Sequence, residues 1–216
     1  DNAIGLAIDP NGNPVITGGT NDVVPTTQGA PQDFNTGGQD GYVARFSANL
    51  ETLMTATMIG TQEDDILIDV EIQSDGDVVV GGSVFGSDFA VLPTPGYQDQ
   101  VFGVGRNGLI FILDEELTQL VGSTWVGAEE DTGDTSLQGI EVDLADNIWA
   151  FGGTNSTTLI VSPDAYQNSS GGDADGYILA LNDDVTELIR GTYFGGTDDD
   201  EIVHISLDDG VNPTVV

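Results

Sequence analysis

A seven-residue phrase recurs in this chain at near-constant spacing. Asp40-Gly41-Tyr42-Val43-Ala44-Arg45-Phe46 returns as Asn107-Gly108-Leu109-Ile110-Phe111-Ile112-Leu113, and again as Asp175-Gly176-Tyr177-Ile178-Leu179-Ala180-Leu181. A second phrase keeps step with it: Thr57-Met58-Ile59-Gly60, Thr124-Trp125-Val126-Gly127 and Thr192-Tyr193-Phe194-Gly195. Both recur every 67 or 68 residues, so the whole unit is copied. Tandem units of this kind are supersecondary modules whose neighbours bury each other's apolar faces.

Each unit parses into four short strands. Ile4-Gly5-Leu6-Ala7-Ile8 alternates apolar with small residues, as Ile68-Asp69-Val70-Glu71-Ile72 alternates apolar with charged ones. That period of two marks a half-buried strand. Asp9-Pro10-Asn11-Gly12-Asn13, Ser74-Asp75-Gly76-Asp77 and Asp208-Asp209-Gly210 carry the Asn-Gly and Asp-Gly pairs that tight hairpins favour. The second strand ends on Gly18-Gly19-Thr20, Gly81-Gly82-Ser83 or Gly152-Gly153-Thr154, which predicts a bulge or close backbone approach. A long loop follows. Pro25-Thr26-Thr27-Gln28-Gly29-Ala30-Pro31-Gln32 corresponds to Pro93-Thr94-Pro95-Gly96-Tyr97-Gln98 and to Ser162-Pro163-Asp164-Ala165-Tyr166-Gln167. The recurrent phrases supply the third and fourth strands.

No stretch carries an apolar period of 3.6 residues over helical length, so the expected fold is all-β. Four-stranded antiparallel units without a covering helix point to propeller-like blades packed face to face. About three blades and a partial fourth are expected, with units near 1–63, 64–131, 132–199 and 200–216. A parallel β-solenoid is the rival, but its rungs are far shorter and need no hairpins. Because the chain opens and closes inside a repeat, it reads as an excerpt of a larger repeat protein.

Composition narrows the partners. The chain has 37 acidic residues against three Arg, no Lys and one His, for a formal charge of −34. Nucleic acid is excluded as a partner, because phosphate binding needs a cationic surface. Anionic membrane surfaces are disfavoured for the same reason. The charge suits high salt, where repulsion is screened over about 3 Å at 1 M, or a medium rich in divalent cations. Cysteine is absent, which rules out disulfides and thiolate metal sites. No apolar run approaches the roughly 20 residues of a membrane-crossing helix, so no direct membrane insertion is expected.

Taken together, the stretch from Asp9 to Thr20, the Pro-Thr-Thr-Gln-Gly-Ala run from Pro25, and Gly37-Gly38-Gln39-Asp40-Gly41-Tyr42-Val43-Ala44-Arg45-Phe46 resemble the SBBP family of β-propeller repeats. The resemblance spans nearly the whole chain. It implies a propeller fold within a large secreted or surface-exposed polypeptide that has no assigned catalytic role. The middle unit departs from the pattern at Val104-Gly105-Arg106-Asn107-Gly108.

Candidate sites follow from the acidic joints between units. Glu63-Asp64-Asp65, Glu129-Glu130-Asp131 with Asp134, and Asp198-Asp199-Asp200-Glu201 crowd carboxylates that Ca²⁺, taking six to eight oxygen ligands, would relieve. Asp173 and Asp175, in Gly172-Asp173-Ala174-Asp175-Gly176, resemble the opening of a calcium loop without its later glutamate. The competing reading is that these side chains satisfy backbone amides in turns, with the remaining charge solvated. Catalysis is not expected. There is no Gly-x-Ser-x-Gly elbow and His204 is the only histidine. The expected role is a scaffold or adhesion platform meeting a protein or glycan at the cell surface. Alternatives are a filament subunit that self-associates through strand pairing and, ranked last, a polysaccharide-acting enzyme.

Overall fold

The computed structural model describes residues 1–85, 89, 96–100, 105–128, 130–208 and 212–215. The sequence features at Pro93-Thr94-Pro95, Val104, Glu129 and Asp209-Gly210 lie outside the described residues. Among the described residues the chain is all-β without a helix. The first sheet contains β1 (Asn2–Ile8), β2 (Pro14–Thr20), β3 (Asp40–Phe46) and β4 (Leu53–Ile59). The second contains β5 (Asp65–Ile72), β6 (Val78–Phe85), β7 (Arg106–Leu113) and β8 (Leu120–Val126). The third contains β9 (Thr135–Val142), β10 (Ile148–Thr154), β11 (Asp175–Leu181) and β12 (Leu188–Phe194). A fourth sheet pairs β13 (Ile205–Asp208) with β14 (Asn212–Val215). Every sheet is an antiparallel meander in chain order.

The sheets stack as propeller-like blades, with β1 against β5 and β5 against β9. One apolar layer joins Val15, Val43 and Ile59 of the first sheet to Leu109, Phe111 and Trp125 of the second. The next joins Val79, Ile110 and Ile112 to Tyr177, Leu179 and Tyr193. The middle blade therefore buries one face against the first and the other against the third. This is why its strands are apolar on both faces rather than alternating cleanly.

Repeated irregularities tie the sequence motif to this geometry. The first strand of each four-stranded sheet carries a bulge at the same place: Ala3/Gly5, Leu67/Asp69 and across Leu137 to Gly139. There the carbonyl of Asn2 or Ser136 turns against Gly18 or Gly152, where a Cβ would collide with it. The same carbonyl accepts from the hydroxyl of Tyr42 (3.0 Å) or Tyr177 (3.1 Å). Glycine in the second strand and tyrosine in the third thus serve one bulge. In the middle sheet the glycine opposite Leu109 is Gly82, whereas Tyr42 and Tyr177 face Gly18 and Gly152. The sequence pairing of Gly81-Gly82 with Gly18-Gly19 is therefore one residue out.

A second repeated device lies in the turn from third to fourth strand. Leu50, Leu117 and Val185 all adopt left-handed backbone, with φ of 60°, 55° and 56°. Aliphatic side chains seldom accept that conformation, which costs about 1–3 kcal/mol. Leu117 and Val185 are buried in the layers between sheets, and that burial offsets the strain.

Candidate functional site

The long loops are anchored to their own blades. In all three units the loop glutamine lies beside the fourth strand: Met58, Trp125 and Tyr193 each donate a backbone N–H to the carbonyl of Gln32, Gln98 or Gln167 at 3.0 Å. Thr57, Thr124 and Thr192 donate their hydroxyls to the same carbonyls. The glutamine side chain accepts from the N–H of Gly60 (3.1 Å), Gly127 (3.2 Å) or Gly195 (3.1 Å). In the outer two units its amide also donates to Asp40 (2.9 Å) or Asp175 (3.4 Å). The loop thereby covers part of the blade's outer edge, which would otherwise offer unpaired backbone to other chains.

Asp40 and Asp175 are fully buried at the start of the third strand. One oxygen of Asp40 accepts from Thr36 N (2.8 Å) and Thr36 Oγ1 (3.0 Å), and one of Asp175 accepts from Gly171 N. The other oxygen of each lies against Gly60 or Gly195, in space a Cβ would take. The equivalent position in the middle unit is Asn107. The geometry makes Asp175 a side chain folded back onto its own loop.

The joints distribute their carboxylates over backbone amides. Asp64 is exposed and accepts from Gln39 N at 2.9 Å; Asp134, also exposed, accepts from Arg106 N at 3.1 Å. Buried Asp65 accepts from Thr61 Oγ1 at 2.9 Å, and Asp200 from Gly196 N at 2.6 Å. Asp131 accepts from Gly133 N and Thr157 N, both at 2.8 Å. Burial opposes its ionisation, but those amides outweigh it and hold the carboxyl below its ordinary range. Glu201 accepts from Gln138 Nε2 at 2.6 Å, while Asp198 and Asp199 are exposed. Asp134, Asp173, Asp199, Asp200 and Glu201 border one open cleft of about 780 Å³, together with Arg106. Among the described residues, no three acidic or histidine side chains converge closely enough to hold a metal ion.

A different set of carboxylates does come together, on the inner strands. Cross-strand pairing places Glu71 and Glu141 at equivalent positions of β5 and β9. Asp69 lies two residues before Glu71, accepting from Ile140 N of the next sheet at 2.9 Å. Burial raises Asp69 and Glu141 above the usual carboxylate range, against a lowering pull from His204. His204 itself stands exposed just before β13. Glu71 is the extreme case: burial first, then Asp69 and Glu141, push it up to about 7. Alternating charges in these strands resemble a solvent-facing edge, so only the stacking of sheets marks them as a group.

The sign of the resulting pH dependence is fixed. A carboxyl that titrates higher in the folded than in the unfolded chain holds its proton better when folded, so stability falls as pH rises from about 4.5 to 7. We expect Glu71→Gln to stabilise the protein at pH 8 by roughly 2–3 kcal/mol and to change little at pH 4.5. Urea unfolding at both pH values checks this; equal gains at the two would contradict it.

A scan against family models finds no match for the chain, and a search of curated proteins finds no similar sequence. What the chain demonstrably shares with known architecture is its all-β organisation into tandem, propeller-like, four-stranded antiparallel sheets.

Proposed function

We propose that this chain is a non-catalytic scaffold from a secreted or cell-surface protein, presenting its long loops to a protein or glycan partner. One observation carries the reading: the residues that define the repeat all hold the blade together. Glutamine, threonine and buried aspartate lock the loop, glycine and tyrosine accommodate the bulge, and joint carboxylates accept from backbone amides. A scaffold of this kind leaves the loop surface free to vary, as in other folds where loops carry recognition. The resemblance to SBBP repeats and the −34 charge support a surface location. No described helix is long and apolar enough to cross a membrane.

The test has two parts. Antibodies to the folded chain should label intact cells of the source organism, with the label removed by external protease. The purified chain should leave a polysaccharide panel unhydrolysed; turnover abolished by one carboxylate substitution would replace this reading with an enzymatic one.

A further inference from the structure

Asparagine followed by any residue but proline, and then by serine or threonine, is the acceptor pattern for N-linked glycosylation. The chain carries it at Asn155-Ser156-Thr157 and at Asn168-Ser169-Ser170. Asn212-Pro213-Thr214 has suitable outer residues, but the proline between them disqualifies it. The fold separates the two remaining triplets.

Asn155 follows β10 and is built into the joint beside β9, although it reaches the surface. Its carboxamide oxygen accepts from Asp134 N at 2.7 Å, and its backbone N–H donates to the Asp134 carbonyl at 3.1 Å. The same side-chain oxygen lies 2.9 Å from where a Cβ on Gly133 would sit. Ser156 is fully buried, and Thr157 gives its hydroxyl to Asp131 at 3.0 Å. Both the carboxamide and the hydroxyl that the pattern requires are therefore committed to the joint.

Asn168 stands differently. It follows Gln167, whose backbone and side chain fix the loop to β12 and Gly195. Asn168 itself is exposed, and among the described residues its side chain makes no hydrogen bond. Ser169 is exposed, and Ser170 donates only to the Gly172 carbonyl of the same loop, at 3.3 Å. The residues that follow Gln32 and Gln98 are Asp33 and Asp99, and both are exposed as well. Asp99 belongs to the middle blade, which is covered on both faces. The position thus faces solvent because of the path the loop takes along the outer edge.

We propose that Asn168 is a glycosylation site and carries an N-linked glycan. The donor class is an oligosaccharide joined through diphosphate to a polyprenol. In the transfer, Nδ2 of Asn168 bonds to the anomeric carbon of the first sugar. The bond from that carbon to the diphosphate oxygen breaks, the lipid diphosphate leaves, and Asn168 gives up one proton. The glycan is bulky and solubilising, and it sits where the first two units place a carboxylate. It leaves the Gln167 contacts to Thr192, Tyr193 and Gly195 intact, since none of them uses the Asn168 side chain.

This inference rests on the secreted or cell-surface reading, because such transfer accompanies passage of a chain across a membrane. The chain is recovered from the source organism and digested, and its peptides are weighed and fragmented by mass spectrometry. The peptide containing Asn168 should carry the added mass of sugars on that residue, and the peptide containing Asn155 should have its unmodified mass. Asn168→Gln and Ser170→Ala should each abolish the added mass, with circular dichroism unchanged. A bare Asn168, or equal modification of Asn155, overturns the inference. Labelling of intact cells decides the wider reading separately. Surface label with a bare Asn168 removes the glycan alone, whereas a bare Asn168 without surface label removes both.

Discussion

Replacing Arg45 with alanine is expected to destabilise the protein by about 3–5 kcal/mol, the usual cost of removing one partner from a buried ion pair. Arg45 is 4% exposed. Its Nε lies 3.5 Å from Asp9 Oδ2, and its Nη1 donates to the Glu115 carbonyl of the neighbouring sheet. The side chain therefore joins a hairpin turn of one blade to a turn of the next. Alanine would take the cation from beside Asp9, leave the Glu115 carbonyl without its donor and open a cavity between sheets. For a chain of this size the loss corresponds to roughly 10 °C in Tm. Arg45→Met separates charge from volume: it fills the space but offers no donor, so it should recover only part of the loss. Guanidinium unfolding of the three proteins measures the difference. A loss below about 1 kcal/mol for alanine would mean that Arg45 behaves as a solvated surface residue and that this interface does not depend on it.

Trp125→Ala is expected to cost a comparable 3–5 kcal/mol, through lost burial and the cavity left behind. Trp125 is 1% exposed and meets Phe89 edge-on, with ring centroids 6.4 Å apart; Phe89 in turn stacks on Phe111 at 6.3 Å. This aromatic group lies in the layer between the first and second sheets, so its loss loosens an interface as well as a core. Trp125→Phe should cost much less, because a smaller ring keeps the contact with Phe89. Denaturant titration of both variants, read by far-ultraviolet circular dichroism, tests the claim. Equal effects of alanine and phenylalanine would show that the packing described here does not govern stability.

The glycine motif shows how far sequence comparison reaches. It predicted a bulge or close approach at the end of the second strand, and the bulged carbonyls of Asn2 and Ser136 confirm it. It misaligned the middle unit by one residue, because Gly81-Gly82 matches Gly18-Gly19 by eye while hydrogen-bonded register matches Gly82 to Gly18. The loop signature was legible as a repeated motif, but its job was not. A glutamine in a polar loop gives no sign that its side chain bonds a glycine about 28 residues away. The joint acids were found as a class, and five of them, Asp64, Asp65, Asp131, Asp134 and Asp200, accept from backbone amides.

Some properties of this protein follow from the order of residues alone. Alternating apolar positions, Asn-Gly and Asp-Gly turns and a fixed period dictate four short antiparallel strands per unit, because each is a local consequence of backbone sterics and side-chain spacing. Other properties arose only when the sheets were stacked. Stacking turned Asp69, Glu71 and Glu141 from what looks like an exposed edge into mutually repelling, half-buried neighbours, and it buried Leu117 and Val185 between sheets. Both depend on which surfaces meet across distances of some 70 residues, and local spacing carries no information about that.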